Sequence, residues 1–359
     1  MYDITIIGAG PAGATLARLI GEKYSVLLVD SRDLDTSVPG PGTSKCCGGL
    51  LAPDAQAMLS EMGLGLPAKV LVDPQIFVVR TMELQQNLER YYQRYYINMD
   101  REAFDRWLVS LVPHSVEKNF KTRFKGFSRI KDGFEVELKG VGGREKIKSR
   151  IIVGADGGAS RVRQMAYPGV SMPEAYFSIQ ERVESPSPLP YFTAVFDREI
   201  TDYYSWVIPK DNHLLIGAAL SPRQNTTSRF ELLKEKLSNR GFKFGKTVLK
   251  EGAAIDRPTS LGHMLTGSDG VALIGEAAGW ISPSSAEGIS YAFRSALCLG
   301  DALAEGMGGF EGRYKRKTLG LRVNIVMKNF KLPFMYNSVL RKAILVSGLN
   351  SMKIRKDSF

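Results

Sequence analysis

The chain has 359 residues, of which 44% are hydrophobic and 24% are charged, as in an ordinary globular protein with a large buried core. Three cysteines are too few for a disulfide framework, and no apolar run approaches the roughly 18 residues that a membrane-spanning helix needs. The cysteines and three histidines do not have the spacing of metal ligands, so no metal site is expected. The net charge is +11, but the basic residues do not follow the pattern of a nucleic-acid-binding surface, so no nucleic-acid site is expected.

A strand, a glycine-rich turn and a helix are predicted at the start of the chain. Residues 3–7 form a short apolar run bounded by glycine, and residues 11–21 carry apolar side chains at helical spacing. Gly8 permits a tight turn, Gly10 lets the backbone approach a pyrophosphate, and Gly13 lets the helix pack close to its strand. The free N–H groups at the start of the helix suit phosphate groups. The residues predicted to bind a dinucleotide here are Gly8, Gly10, Pro11, Ala12 and Gly13.

A second strand is predicted for residues 25–29, and it ends at Asp30. This acid lies 20 residues after Gly10, where dinucleotide-binding folds carry the carboxylate that binds ribose hydroxyls. The strand, turn, helix, second strand and acid together favour a Rossmann-like unit over an unrelated glycine turn. Because this first strand begins at residue 3, we also expect no signal peptide.

Two later glycine motifs repeat the pattern of a buried strand followed by a turn. Residues 150–153 lead into residues 154–157, and residues 270–274 lead into residues 275–279. The motifs are separated by about 140 and then about 120 residues. The segment 284–289 follows the third motif and opens a helix that is predicted to extend from Ser290 to about Glu305.

In this order, the three motifs resemble the glutathione-reductase-type FAD proteins of the aromatic-hydroxylase kind. The resemblance implies one extended FAD, with Asp156 and Gly157 at its central portion and the acid of the third motif on the ribityl chain. That acid is Glu276, where the family usually has Asp, so we expect a contact that is shifted or made through water. A helix start would face the flavin pyrimidine edge and stabilise negative charge on the reduced ring. The implied contacts near the ring and ribityl chain are Gly275, Glu276, Gly288 and Ile289.

A narrower resemblance is carried by residues 47–51 and 204–210. Both segments resemble the geranylgeranyl reductase family, which has a Cys-Gly-Gly segment near the flavin and a Tyr-x-Trp-x-Phe-Pro-type segment along its lipid cavity. Ile208 stands where the aromatic of the second pattern usually lies. The segments that resemble the CbrA-like branch in particular are 51–56, 74–77 and 92–98.

These patterns predict an α/β fold in which a Rossmann-like FAD-binding domain is interleaved with a mixed or antiparallel β-sheet substrate domain and followed by C-terminal helices. Residues 124–147 alternate and turn as a β meander would. The second sheet would cover the flavin with one face and carry helices on the other. The predicted ranges are 1–70, 98–170 and 265–310 for FAD binding, 71–97 and 171–264 for the substrate domain, and 311–359 for the helices.

The resemblance implies an FAD-dependent oxidoreductase, most simply one that reduces C=C bonds of a prenyl or other long apolar substrate with hydride from flavin N5. The alternatives are a flavin-dependent hydroxylase or epoxidase, a halogenase, and a flavin-bearing protein that holds an isoprenoid lipid without turnover. The electron donor stays open among NAD(P)H, ferredoxin and reduced flavin. Only one dinucleotide fingerprint exists, so no separate NADPH domain is expected.

Four side chains are predicted to serve this chemistry. Cys47 would lie near the isoalloxazine ring, with Gly48 and Gly49 allowing close backbone approach, and it would donate a proton or gate access; the alternative is an inert buried thiol. Tyr204 and Trp206 would line an apolar cavity, although cross-strand core aromatics have the same pattern. The resemblance also implies that Arg101 lies near the cofactor phosphates, rather than being an exposed arginine at a helix start.

The positive charge is concentrated at the C-terminus. Residues 311–359 hold 12 Lys and Arg against two acids, and bulky apolar residues separate the charges. Such helices suit the surface of an anionic membrane. Terminal helices with solvated cations, or a site for an acidic electron donor, are the alternatives. We therefore expect a cytoplasmic protein, consistent with three unpaired cysteines, that associates peripherally with the inner face of the membrane.

Overall fold

The computed structural model describes residues 1–35, 45–170, 175–186 and 189–354, so most of the segment 31–44, which is rich in Pro, Gly and Ser, lies outside the described residues. The helices in chain order are α1 (Pro11–Ile20), α2 (Pro53–Glu61), α3 (Arg101–Ser110), α4 (Arg161–Ala166), α5 (Thr226–Ser238), α6 (Ile289–Ala304), α7 (Phe310–Lys317), α8 (Leu319–Asn329), α9 (Leu332–Tyr336) and α10 (Ser338–Ser347). The strands are β1 (Tyr2–Ile7), β2 (Val26–Val29), β3 (Leu50–Leu51), β4 (Ile76–Glu83), β5 (Leu88–Asn98), β6 (Glu117–Asn119), β7 (Arg123–Ile130), β8 (Gly133–Gly140), β9 (Gly143–Gly154), β10 (Ala175–Glu184), β11 (Phe192–Phe196), β12 (Ser205–Lys210), β13 (His213–Leu220), β14 (Thr247–Asp256), β15 (Gly267–Ser268) and β16 (Val271–Leu273).

The first sheet has a parallel core in the order β16-β9-β1-β2-β6. In its register, Ile6 lies opposite Leu28 on β2 and Val153 on β9, and all three side chains are buried. Strand β15 pairs antiparallel with β16, and β7, β8 and the first half of β9 form an antiparallel meander. The predicted Rossmann-like sheet and its meander are confirmed.

Glycine sets the contact between β1 and α1. Gly8 has φ +106, a backbone conformation that L side chains rarely adopt. A Cβ at Gly13 would lie 1.8 Å from the carbonyl oxygen of Gly8, so only glycine allows the helix to start this close to the strand. Pro11 occupies the first turn of α1, where its missing N–H costs no hydrogen bond.

The second sheet has the order β14-β10-β13-β12-β11-β4-β5-β3 and is antiparallel except between β4 and β11. Side chains alternate between its two faces. Val207 packs against Phe230 and Leu233 of α5 on one face, and Trp206 and Ile208 point to the other. One face therefore carries a helix and the other is directed toward the first sheet, as predicted.

Two elements belong to a different part of the structure than the predicted ranges give them. Strand β3 falls in the predicted first range, 1–70, but it pairs with β5 of the second sheet. Helix α7 begins at Phe310, one residue before the predicted C-terminal range, and its Tyr314 hydroxyl donates to the Leu273 carbonyl at 2.8 Å. Phe310 and Tyr314 are both buried, so this helix packs against the main body of the protein.

The last helices are attached through a buried ion pair. The guanidinium of Arg341, on α10, donates to the carboxylate of Glu83, at the end of β4, and both side chains are buried. Arg341 also lies over the ring of Phe196. Among the residues that the structure describes, the longest helices are too short or too polar to cross a bilayer.

Replacing Arg341 by Met should lower the free energy of unfolding by about 3–5 kcal/mol, because it leaves the Glu83 carboxylate buried without its cation. Urea unfolding at neutral pH measures the change. Lys342→Met is the matched control, since this neighbouring lysine is exposed and its loss should cost less than about 0.5 kcal/mol. Equal midpoints for the Arg341 variant and the parent would contradict the role assigned to the ion pair.

Candidate active site

A cavity of about 470 Å³ lies between the glycine turns of the first sheet and the inner face of the second sheet. Its wall is mostly apolar. The predicted residues that line it from the three glycine motifs and the start of α6 are Gly10, Pro11, Ala12, Gly157, Gly275, Glu276, Gly288 and Ile289. The predicted residues that line it elsewhere are Cys47, Gly48, Gly49, Arg101, Tyr204 and Trp206.

Four predicted residues lie outside this lining. Gly8 and Gly13 stand behind the turn, where they contact each other. The carboxylate of Asp156 accepts hydrogen bonds from the backbone N–H groups of Arg161 and Val162, at 2.8 and 3.2 Å, and so caps the start of α4. Burial raises the pKa of Asp156 above its ordinary value. Asp156 therefore shapes the turn that presents Gly157 to the cavity, and it does not face the cavity itself.

Asp30 is the fourth of these residues, and its carboxylate already has protein partners. It accepts from the backbone N–H of Ala9 at 2.8 Å and from the backbone and guanidinium of Arg32 at 2.9 to 3.1 Å. A ribose hydroxyl would have to share these oxygens with Arg32. Arg32 in turn donates to Asp105, which also pairs with Arg101, so the predicted ribose acid is joined to the cavity arginine.

Two helix N-termini make the cavity suitable for FAD. Neither α1 nor α6 has a side-chain N-cap, and the first residues of both helices line the cavity. Their first N–H groups therefore lack a helical acceptor and can bind phosphate or flavin oxygens. A Cβ at Gly10 would meet no atom of the described residues within 4 Å, which leaves space among them where a pyrophosphate would approach. The described residues thus fit an extended FAD.

Cys47 lines the cavity beside a buried cation. Burial raises the pKa of its thiol, but the positive charge of Arg101 and the backbone N–H of Gly49, 3.5 Å from the sulfur, outweigh burial, so the pKa lies below its ordinary value. Cys46 differs, because burial raises the pKa of its thiol to about 11. The surroundings of Cys47 thus favour its thiolate, whereas those of Cys46 disfavour it.

Tyr204 and Trp206 form part of the wall, with their polar atoms already bonded. The Tyr204 hydroxyl donates to the carbonyl of Ser285 at 2.7 Å, and the indole N–H of Trp206 donates to Gln180 at 3.2 Å. Burial raises the pKa of Tyr204 well above its ordinary value, which keeps it neutral. Both were predicted as catalytic residues, and the structure places both in the cavity lining.

Lys210 was missed as a functional residue, although it ends the 204–210 segment. Its buried ammonium donates to the carbonyls of Gly49 and Met99 at 2.9 and 2.8 Å and to the Asn98 side chain at 2.6 Å. Burial lowers the pKa of Lys210 to about 7. The lysine joins β12 to the Cys47–Gly49 loop and to the end of β5. A lysine that follows an apolar strand indicates solvent exposure, so the sequence held no signal for this role.

The sequence analysis also did not identify a group of polar side chains in the cavity lining. Glu287, in the loop before α6, accepts from the Tyr96 hydroxyl at 2.6 Å and pairs with Arg94 at 3.0 Å. All three residues line the cavity. They tie strand β5 to the loop that leads into Gly288 and Ile289. Arg94 and Tyr96 lie in the segment 92–98, which the sequence marked only through a family resemblance.

Comparison with known proteins identifies the family. The model of the FAD binding domain family matches residues 1–314. The chain belongs to this family. Protein CbrA from Escherichia coli O6:H1 (strain CFT073) is 40% identical over 356 residues, which cover 99% of this chain and 96% of CbrA. FAD is therefore the cofactor, and this FAD-binding protein is an FAD-dependent oxidoreductase.

Solved structures share the fold. A geranylgeranyl bacteriochlorophyll reductase-like protein from Thermoplasma acidophilum superposes with a TM-score of 0.82 at 17% identity, covering 99% of this chain and 93% of that one. PqsL from Pseudomonas aeruginosa, described as a probable FAD-dependent monooxygenase, superposes with a TM-score of 0.68 at 20% identity, covering 96% and 99%. Both similarities confirm the predicted FAD-dependent oxidoreductase fold.

Alanine at Gly10 or Gly13 should separate cofactor binding from folding. Gly10→Ala puts a methyl group into open space, so the apoprotein should keep its stability while its FAD affinity falls at least about tenfold through loss of close backbone approach. Gly13→Ala should cost about 3 kcal/mol of unfolding free energy, because its methyl group would overlap the Gly8 carbonyl.

Urea unfolding of the apoprotein and flavin fluorescence titration measure the two effects. Gly65→Ala is the control, because a Cβ there meets no atom and the backbone is unstrained. If Gly10→Ala bound FAD with the affinity of the wild type, the pyrophosphate would not lie beside Gly10.

Lys210 should make stability depend on pH. Its folded pKa of about 7 lies below its ordinary value of 10.5, so between these values the unfolded chain binds a proton that the folded chain lacks. The contribution of Lys210 to the free energy of unfolding therefore rises with pH across this window, by at most about 1.4 kcal/mol per pH unit. Below pH 7 the cost of burying the charged ammonium is fully present.

The measurement is the unfolding free energy of the wild type minus that of Lys210→Met, taken at several pH values. This difference should rise across the window, whereas the corresponding difference for exposed Lys342→Met should stay flat. A flat difference for Lys210 would mean that its ammonium stays charged in the folded protein.

Proposed function

We propose that this FAD-dependent oxidoreductase reduces C=C bonds of an isoprenoid or another long apolar substrate, as a member of the geranylgeranyl-reductase-like, CbrA-like branch. The carrying observation is one mostly apolar cavity that joins the FAD-binding turns to the wall bearing Trp206 and Ile208. The superposition with a reductase-like protein along nearly the whole chain supports the same assignment.

The apolar wall favours a hydrocarbon substrate. Alternate residues of adjacent strands point inward, among them Trp206, Ile208 and Ala194, together with Val79 and Phe192. A Cβ at Gly217 would lie 2.3 Å from the Trp206 indole, so glycine allows this ring to lie flat against the sheet. Such a surface binds an apolar chain by burial and keeps water from the reacting centre.

FAD held at the glycine turns would, once reduced by an external two-electron donor, supply a hydride for one carbon of the double bond, and the protein must deliver a proton to the other. The uncapped start of α6 places backbone N–H groups at the cavity, where they stabilise negative charge. These N–H groups and the apolar wall together favour hydride transfer, because they stabilise negative charge and exclude water.

We assign the proton to Cys47. When its thiol donates the proton to the second carbon, the S–H bond breaks and a C–H bond forms, which leaves a thiolate. Arg101 and the Gly49 N–H stabilise that thiolate, as the lowered pKa of Cys47 indicates. Water reprotonates the sulfur between turnovers. One hydride and one proton then account for the two hydrogens gained by the substrate.

A monooxygenase is the second candidate, since PqsL, which is described as a probable FAD-dependent monooxygenase, superposes over 96% of this chain. It would use the same cofactor turns and the same cavity. The two reactions differ in their product, which gains two hydrogens in one case and an oxygen atom in the other.

The test is anaerobic incubation of the dithionite-reduced holoprotein with polyprenyl lipids of graded length. We expect product masses two hydrogens higher per reduced bond, together with return of the oxidised flavin spectrum. An oxygen atom in an aerobic product, formed with stoichiometric oxygen uptake, would assign the monooxygenase. Tight lipid co-purification without flavin reoxidation would assign a lipid-binding flavoprotein.

The same assay tests Cys47. Cys47→Ser should bind FAD normally and reduce the substrate about 10²-fold or more slowly, because a hydroxyl is a much weaker acid. Cys298→Ser is the matched control, since this thiol lies on α6 outside the cavity lining and donates to the Lys317 carbonyl. Turnover of Cys47→Ser at the parental rate would remove the thiol from proton transfer.

A further inference from the structure

A row of exposed apolar side chains runs along α8 and into α9. We define the docking face as Leu319, Val323, Met327, Phe330 and Phe334, each of which is between 52% and 69% exposed. Their spacings of four, four, three and four residues place them on one side of a helix. The row continues across the junction because the backbones of Phe330 and Lys331 are also helical.

The opposite side of α8 is the side that holds this helix to the protein. Leu321 and Ile325 are buried and pack in the cluster that contains Trp280 and Tyr291. Because these residues already provide the packing of α8, the docking face is not needed to attach the helix. On α10, Val339 and Ile344 are likewise exposed while Leu345 is buried.

Positive charge accompanies the docking face. The segment from residue 311 to 359 holds 12 Lys and Arg against two acids, and Lys331 lies within the apolar row itself. Exposed cations also include Lys342 on α10 and Lys315 and Arg316 on α7. Cations beside bulky apolar side chains match the two parts of an anionic bilayer, since headgroups attract the charges and acyl chains receive the apolar groups.

The docking face is continuous with the cavity through α9. Phe334 is exposed, and the next residue, Met335, lines the cavity. The Tyr336 hydroxyl donates to the Ser284 carbonyl at 2.6 Å, which fixes α9 to the loop before α6. A single short helix therefore has one side chain on the outer surface and its neighbour on the cavity wall.

We propose that the docking face binds the surface of an anionic phospholipid bilayer, and that an apolar substrate enters the cavity beside α9 directly from that bilayer. The entry route rests on the proposed function, but the bilayer contact does not. This placement spares a long hydrocarbon chain from crossing water on its way to the cavity. An acidic protein partner would pair with the cations but, unlike a bilayer, would leave the side chains of Val323, Met327 and Phe330 exposed to water.

The test uses the full-length, FAD-loaded protein and sedimentation with lipid vesicles, without substrate. Vesicles of phosphatidylcholine with added phosphatidylglycerol should bind the protein at least about tenfold more tightly than phosphatidylcholine alone, and high salt should reduce the difference. The triple variant Val323→Ser/Met327→Ser/Phe330→Ser should lose at least about tenfold in binding. Val141→Ser, at the exposed tip of the β8–β9 turn, is the matched apolar control and should bind as the parent does.

Three outcomes would overturn the proposal. They are equal vesicle binding by the triple variant, no binding to either vesicle, and a dimer of the parent that the triple variant converts to a monomer. The last would assign the face to a second copy of the chain. Reduction of a detergent-dispersed substrate is measured separately, so failure of bilayer binding leaves the proposed reaction standing, and failure of the reaction leaves the bilayer contact standing.

Discussion

The whole arrangement depends on the close approach of α1 to the end of β1. With 1.8 Å between a Cβ built at Gly13 and the Gly8 carbonyl, any other residue would push the helix away. That displacement would carry the uncapped N–H groups of α1 out of the cavity. The cavity exists where it does because the first turn, the 154–157 turn and the Gly275–Ala278 turn end neighbouring parallel strands at the same edge of one sheet.

The second sheet is held over this edge by buried polar groups as well as by apolar packing. Lys210 bonds the loop that carries Cys47 and Gly49, and Glu287 connects β5 with the loop before α6. Arg101 belongs to the same system, because it pairs with Asp105 on one side and lowers the pKa of Cys47 on the other. Buried charges of this kind tie a loop to one geometry, since breaking a contact leaves an uncompensated charge or polar group.

The C-terminal helices link this interior to the outer surface. They are fixed by the Arg341–Glu83 ion pair and by the Tyr336 hydroxyl, while the docking face stays exposed and apolar. Met335 reaches the cavity from the same segment. The apolar wall of the cavity and the exposed apolar row are thus connected through α9.

Much of the fold follows from short-range sequence patterns. Buried parallel strands appear in the sequence as continuous apolar runs. Turns beside a dinucleotide require glycine, so residues such as Gly10 and Gly275 can be recognised from the neighbouring sequence. The position of Trp206 along the cavity was implied by the family resemblance of residues 204–210. These signals need only a residue and its near neighbours in the chain.

The partners of charged side chains could not be predicted in this way. Arg32 joins Asp30 to Asp105, which lies 73 residues beyond Arg32, and Lys210 is buried against Gly49 and Asn98, which lie more than 100 residues before it in the chain. Local sequence patterns predicted the glycine turns and the two sheets, because backbone geometry limits which residues can occupy those positions, and the family resemblance of the three motifs implied FAD. Only the tertiary structure decided which carboxylates face the cavity and which cations are buried, because burial and charge pairing depend on segments that meet only when the chain has folded.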